Sequence, residues 1–276
     1  MSAAELLRRH GLRPKRSLGQ NFLVDEAALA RVTAAAQVQA DETVLEIGPG
    51  LGALTRHLAA VAQRVVAVEL DQALIPILRE GLQDQTRVTI VHGDILEQDI
   101  SALVAAPYCV VANIPYYITS AVVRHVLEAG QRPRRVVLTM QREVAERICA
   151  PAGDLSLLAI SVQVYARAMI ASRIPAGAFY PRPEVDSAVL RLEVLAEPRV
   201  PAAWRPTFFH VVKVGFSQKR KQLRNALRSG LSLPSEQLDS ALAASGIDGR
   251  RRAETLTLDE WLALAQAMCP ADGIRQ

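Results

Sequence analysis

The chain has 276 residues, half of them hydrophobic and 4% aromatic, with 32 Lys and Arg against 28 Asp and Glu, a net charge of +4 and a sequence pI near 9.2. Such a chain holds an α/β domain of about 180–200 residues and a small appendage, its core built from aliphatic side chains. No apolar run approaches the roughly 18 uncharged residues of a membrane span. Cys109, Cys149 and Cys269 lie too far apart for a metal-ligand pair or a disulfide framework, so no metal is expected and all three read as small, buried side chains of a reducing cytoplasm.

The N-terminal arm, MSAAELLRRHGLRPKR, has no uninterrupted apolar core of signal-peptide length, which predicts a cytoplasmic protein with no membrane partner. Apolar residues at helical spacing then predict helices over Asp25–Val38, Gly52–Ala62, Asp71–Leu82, Thr119–Ala129 and Arg142–Cys149, with Asp25, Asp71 and Thr119 as N-caps. Between them Thr43–Ile47, Arg64–Glu69, Arg87–Val91, Tyr108–Ala112 and Arg135–Met140 read as strands. All but the third are apolar on both faces, as strands of a covered parallel sheet should be. Repeated βα units imply an open α/β sheet. A late strand with one wetter face follows at 188–194, and Ala196–Pro206, with three prolines, reads as a linker. Everything beyond it reads helical, with Leu258, Trp261, Leu262, Ala265 and Met268 on one face of the last helix.

The first strand runs into Glu46-Ile47-Gly48-Pro49-Gly50-Leu51-Gly52 and then a helix. Glycines at such a turn let backbone approach a ligand at the carboxyl edge of the sheet, which makes Glu46, Gly48 and Gly50 candidates for cofactor binding. Glu69 ends the second strand, where an acid meets ribose hydroxyls in dinucleotide folds. The glycine spacing departs from G-x-G-x-x-G, so a pyrophosphate cradle, and with it NAD-dependent oxidoreduction, fits less well. S-adenosylmethionine also has a ribose and no phosphate. Asp94, after the third strand, is placed to accept from an adenine amine or to cap a helix.

The fourth strand ends in Asn113-Ile114-Pro115-Tyr116, and this string resembles the catalytic motif of amine-directed nucleic acid methyltransferases. Adenine N6 is a poor nucleophile because its lone pair is delocalised into the ring. Acceptors for both N6 hydrogens, the Asn113 side-chain oxygen and the Ile114 carbonyl, favour a pyramidal amine with a localised pair. Pro115 stiffens the loop and Tyr116 offers a stacking face. The stretch Lys213–Arg228 carries six basic residues and no acid, among them Lys219, Arg220, Lys221 and Arg224; the arm adds Arg8, Arg9, Arg13, Lys15 and Arg16 against Glu5. Beside a base-methylating loop these charges favour RNA, whose phosphates they neutralise, and a target base that leaves its stack.

From Ser17 to Met268 the chain resembles the small-subunit (16S) ribosomal RNA adenine N6-dimethyltransferases, the kasugamycin-sensitivity enzymes of bacteria. The matching strings are Ser17–Leu23, Glu46–Gly52, Asn113–Tyr116, Gln141–Arg147, Phe179–Ser187 and Phe216–Asn225. The resemblance implies an α/β class I S-adenosylmethionine-dependent methyltransferase (Rossmann-like) sheet, its last pair antiparallel, and a small C-terminal α-helical domain. The expected domains are 1–196, the arm and methyltransferase domain, and 197–276, a helical RNA-binding domain. It implies that Asn21 and Leu23 wrap the methionine and ribose end of S-adenosyl-L-methionine. Gly48 would contact it through backbone, Glu69 hold the ribose, Asp94 hold the adenine and Asn113 touch both cofactor and target amine. Phe179, which alone reads as core, would stack on the flipped base opposite Tyr116. The implied partner is 16S rRNA in an assembling small subunit, met by a monomer. The segment Cys149–Leu155 is shorter than the family's loop. The sister family that dimethylates large-subunit RNA and a non-catalytic RNA-binding assembly factor are the rival readings.

Overall fold

The computed structural model describes residues 2–115 and 118–268. The apolar runs form the strands they predict: β2 (Thr43–Ile47), β3 (Arg64–Glu69), β4 (Val88–His92), β5 (Tyr108–Asn113) and β6 (Arg135–Gln141), preceded by a two-residue β1 (Phe22–Leu23). After them come β7 (Ala166–Ile174), β8 (Phe179–Tyr180) and β9 (Ser187–Val194). Seven strands make one sheet in the order β4-β3-β2-β5-β6-β9-β7, and β1 pairs with β8 in a separate two-stranded ribbon. The pairs from β4 to β6 are parallel, and β9 runs antiparallel to β6 with Val136 opposite Leu192. The wetter third run is β4 at the sheet's edge, where one face stays open to water.

The order of these strands places the crevice. From β2 the chain moves outward to β3 and β4, then returns to the other side of β2 as β5. The connections therefore diverge between β2 and β5, and a ligand crevice opens at the carboxyl ends of strands at such a switch point. Helices α1 (Ala3–Arg9), α2 (Glu26–Ala36), α3 (Ala53–Ala59), α4 (Ile75–Gly81), α5 (Ile100–Leu103), α6 (Thr119–Glu128) and α7 (Arg142–Ile148) follow in chain order. Ala28, Leu29, Val32 and Ala36 of α2 pack with Leu54 and Leu58 of α3 and with Val44, Val111 and Val137 of the sheet. The Asp25 carboxylate caps α2 by accepting from Ala28 N–H at 2.7 Å, and Asp71 caps a short 3₁₀ turn ahead of α4. Thr119 is not a cap: Ile118 takes that position, and the Thr119 hydroxyl is buried inside the first turn without a partner.

Two compact units emerge, Met1–Glu146 with Arg167–Leu195, and Arg147–Ala166 with Ala196 onward. Residues 147–166, placed by sequence in the first of the two expected domains, cluster with the second unit. The second unit holds α8 (Leu157–Gln163), α9 (Arg205–Gly215), α10 (Leu223–Gly230), α11 (Ser235–Ala244) and α12 (Leu258–Met268). Gln163 ties α8 to the chain before it by donating to the carbonyls of Ile148 and Ala150, and Leu155 N–H donates to Glu254 O at 3.1 Å. Trp261 is fully buried, and a Cβ at Gly215 would meet its ring at 2.4 Å, so α9 approaches α12 only because that position has no side chain. Leu264 rather than Leu262 joins Leu258, Trp261 and Ala265 in the buried face, while Leu262 and Met268 are half-buried. Cys109 is buried and Cys149 only half-buried, both free; Cys269 lies outside the described residues. Among the described residues no helix is long and apolar enough to cross a membrane, and no His, Cys, Asp and Glu cluster could hold a metal ion.

Candidate active site

The turn after β2 is shaped by its hydrogen bonds. Gly48 N–H donates to Val68 O at 2.9 Å, and Gly50 N–H donates to Glu69 Oε2 at 3.0 Å, joining the ends of β2 and β3. Gly50 has φ +58°, and a Cβ there would sit 2.9 Å from the Phe22 ring. The left-handed backbone and the ring above it both require glycine.

Glu69 is buried, and each of its oxygens already accepts a backbone N–H: Oε2 from Gly50 and Oε1 from Asp71 at 2.8 Å. Burial pushes its carboxyl up, the hydrogen bonds from Asp71 and Gly50 oppose that, and the Asp71 charge adds to it. A carboxylate oxygen accepts more than one hydrogen bond, so Glu69 arrives oriented with capacity left for hydroxyl donors. Glu46 is more deeply enclosed. Burial lifts its carboxyl to about 8, the neighbouring Thr55 hydroxyl lowering it and the Glu69 charge raising it further. Neither Glu46 Oε2 nor Thr55 Oγ1 reaches good hydrogen-bond geometry, leaving two orphaned polar atoms beside the glycine turn. Asp94 closes a turn, its Oδ1 accepting from Leu96 N–H at 2.9 Å, and faces the crevice.

Asn113 closes β5. Its Nδ2 donates to the Asn21 carbonyl at 3.1 Å, which fixes the amide's orientation and leaves Oδ1 as the acceptor. Ile114 is buried and Pro115 follows it at the crevice wall; Tyr116 lies outside the described residues. Asn21 is held in turn by its own Nδ2 bond to Gly19 O at 3.2 Å. The segment then pairs as β1 with β8, Leu23 opposite Phe179 and Phe22 opposite Tyr180. Phe179 is buried in the main apolar cluster and also lines the crevice.

These groups share one cavity of about 540 Å³, lined by Asn21, Leu23, Glu46, Gly48, Gly50, Glu69, Asp94, Asn113, Ile114, Pro115 and Phe179 among others. Every described candidate for cofactor or target base is thus brought together. Sequence reasoning missed Lys15, Gln20 and Asp71. Lys15 Nζ donates to Asp71 Oδ1 at 2.7 Å and Gln20 Nε2 to Asp71 Oδ2 at 2.8 Å. The Leu18–Leu23 string marked the segment, but no local pattern pairs it with an acid more than fifty residues away.

The basic run behaves differently. Lys219, Arg220 and Lys221 are exposed on the turns between α9 and α10 rather than along a helix. Arg224, on α10, is engaged by Asp239 of α11 through two bonds, Nε to Oδ1 at 2.6 Å and Nη2 to Oδ2 at 2.7 Å. In the arm, Arg9 pairs with Glu80 and Lys15 with Asp71.

Comparison with known proteins places this geometry. Residues 11–269 match the family model described as ribosomal RNA adenine dimethylase. The chain is 42% identical over 261 residues to a "Ribosomal RNA small subunit methyltransferase A" of Dehalococcoides mccartyi, covering 94% of this chain and 90% of that protein. It is 43% identical to the protein of the same name from Geobacter metallireducens, covering 97% and 100%. Among solved structures, the 23S rRNA methyltransferase ErmE superposes with a TM-score of 0.73 at 30% identity over 90% of this chain and 99% of that one. A dimethyladenosine transferase from Plasmodium falciparum gives 0.76 at 22% identity, covering 88% and 95%, a likeness of fold. With its mostly parallel α/β sheet, its crevice at the switch point and this match over nearly its whole length, the chain belongs to the ribosomal RNA adenine dimethylase family.

Proposed function

We propose that this protein transfers methyl groups from S-adenosyl-L-methionine to N6 of two adjacent adenosines in the 3′-terminal hairpin of small-subunit (16S) ribosomal RNA, acting as a cytoplasmic monomer on the assembling subunit. The observation that carries the reading is Asn113, an amide at the end of β5 whose nitrogen is held by a backbone carbonyl and whose oxygen is left to accept. The relatives at 42–43% identity that are named for the small subunit favour that RNA over the 23S rRNA for which ErmE is named.

The crevice fits the cofactor. A Cβ at Gly50 is excluded by Phe22, so backbone forms one wall. Glu69 has acceptor capacity for ribose hydroxyls, Asp94 keeps one carboxylate oxygen beyond its turn for an adenine amine, and the orphaned Glu46 Oε2 needs a donor. Gly48, Asn21 and Leu23 complete the enclosure. When bound, the cofactor supplies an electrophilic methyl on a sulfonium sulfur. The protein's part is to present N6. Asn113 Oδ1 and the Ile114 carbonyl accept the two amine hydrogens, which localises the nitrogen lone pair. Phe179 and Tyr116 hold the extruded base by stacking, worth about 1–3 kcal/mol per base. As the N–C bond forms, the electron pair of the broken C–S bond stays on sulfur and one N6 proton passes to water; no strong base is required, because N6 becomes acidic as it is methylated. Lys219, Arg220 and Lys221 meet RNA phosphates, with a smaller share from Arg224, which Asp239 already pairs.

Labelled methyl transfer to small subunits, large subunits and naked RNA, read by mass spectrometry of the nucleosides, tests the proposal. N6,N6-dimethyladenosine confined to small-subunit RNA is expected. Product confined to large-subunit RNA supports the sister reading, and exclusively monomethylated adenosine overturns dimethylation.

A further inference from the structure

Asp71 does more than cap the turn it begins. A cap uses one carboxylate oxygen, and Oδ1 accepts from Ala73 N–H at 3.1 Å. Both oxygens also take donors from the arm: Lys15 Nζ on Oδ1 and Gln20 Nε2 on Oδ2. Gln20 Oε1 accepts from Lys15 N–H at 2.8 Å, closing the three residues into a ring of hydrogen bonds. The Asp71 side chain is 4% exposed and that of Lys15 46%, so the acid of the ion pair is buried while its cation reaches solvent, and of the three residues Gln20 lines the crevice. Burial works against ionisation of Asp71, yet the hydrogen bonds from Lys15, Gln20 and Ala73 and the Lys15 charge outweigh it and hold its carboxyl below the usual range.

The wall of the site begins directly beyond this knot. Immediately after Gln20, the Asn21 carbonyl receives the Asn113 amide, the Phe22 ring covers Gly50, Leu23 pairs with Phe179, and Val24 N–H donates to Ala178 O at 2.9 Å. The Asp71 N–H meanwhile orients Glu69.

We propose that Asp71 is a positioning residue: through Lys15 and Gln20 it fastens the arm across the crevice, and so places the Asn21 carbonyl that orients the catalytic amide of Asn113. One anchor thereby serves the cofactor side, through Glu69, and the target side, through Asn21. The role in transfer rests on the function proposed above; the fastening of the arm does not.

The test uses the full chain with Lys15→Met and Gln20→Ala, which leave the Asp71 cap intact, and Asp71→Asn, which removes the charge. Amide exchange of residues 18–24 in the free protein should accelerate, and the Kd for S-adenosylhomocysteine should rise about tenfold, the scale set by losing a hydrogen bond to a charged group. Single-turnover transfer at saturating S-adenosylmethionine should also fall, a loss that a purely structural cap would not cause, while RNA affinity stays the same. Lys15→Met added to Asp71→Asn should cost nothing further, because the two residues share one interaction. Variants with wild-type circular dichroism, exchange and Kd would overturn the proposal. Wild-type protein that bound no S-adenosylhomocysteine would overturn the cofactor reading instead, while exchange in the arm would still report on the anchor.

Discussion

The crevice at the carboxyl end of the sheet and the basic corner between α9 and α10 deal with polar groups in opposite ways. In the crevice Glu46 and Glu69 are buried, as is Asp71 behind it, and the last two are held by backbone or side-chain donors. At the corner, Lys219, Arg220 and Lys221 are exposed, while Arg224 alone is held, by an acid of its own unit. Buried groups with fixed partners act through geometry, and losing one is costly because its neighbours stay behind unsatisfied. Exposed cations act through summed charge, and each is individually dispensable. Single substitutions should therefore be severe in the first region and graded in the second.

The sharpest test is Asn113→Ala. It removes an acceptor made for the reacting amine while β5 keeps its packing, so transfer should fall by about a hundred- to a thousandfold, comparable to losing one preorganised group at a reacting centre. Single-turnover rates measured beside circular dichroism check this, and a folded variant with near wild-type turnover would remove Asn113 from the chemistry. Glu69→Ala comes next. Cofactor binding should weaken by about 1.5–3 kcal/mol, with RNA affinity in the absence of cofactor unchanged. Unaltered affinity by calorimetry would refute its part in holding the ribose.

The corner should respond only in sum. Replacing Lys219, Arg220 and Lys221 together by glutamine is expected to shallow the log–log salt dependence of RNA binding by about 2–3 units. Arg224→Gln alone should shift that slope less than any of the three, since Asp239 already neutralises it. Equal slopes for the triple variant and wild type would mean that the corner does not meet phosphate.

The smallest effect is on stability and concerns Glu46. Its native pKa of about 8 lies above its ordinary value of 4.5, so the folded protein keeps a proton there that the unfolded chain releases between those pH values. Its contribution is fully present below pH 4.5 and is lost as pH rises through 8. Glu46→Gln retains the neutral shape, so the Tm of the variant should decline less than that of wild type across this window. Parallel Tm profiles would falsify the buried, protonated assignment.

What could be read from sequence divides along a related line. The parallel strands were legible because Val44–Ile47 and Val65–Val68 are apolar on both faces, and burial on both faces is what such a run means. The glycine turn, Glu69, Asp94 and Asn113 were legible because each sits at a strand's end, where topology converts chain position into spatial proximity. The ribbon of β1 and β8 was not: two residues carry no periodicity, and their pairing joins segments more than 150 residues apart. β7 escaped notice because its exposed positions alternate through Arg167, Met169 and Arg173 without the apolar density of a central strand. The clustering of residues 147–166 with the second unit is not legible in sequence, because the bonds that tie them, such as Leu155 to Glu254, leave no mark in the residues themselves. The Arg224–Asp239 pair shows the same limit, since a count of charges does not record which are already matched.

With Asn113 in its proposed role, its bond to the Asn21 carbonyl also bears on which nucleobases the site would accept. A free amide side chain can turn over and present either its oxygen or its NH₂ to a visitor. With one hydrogen of the nitrogen engaged by Asn21, the amide is held in one orientation and its oxygen keeps one place. Adenine, which carries hydrogens on its exocyclic nitrogen, meets that oxygen as a complement. Inosine and guanine bear a carbonyl at the equivalent position and meet it as a repulsion between lone pairs. On that proposed role the purine would be chosen by the polarity of one hydrogen bond, before any difference in size or shape is felt, with a backbone atom of the arm fixing which way the amide points.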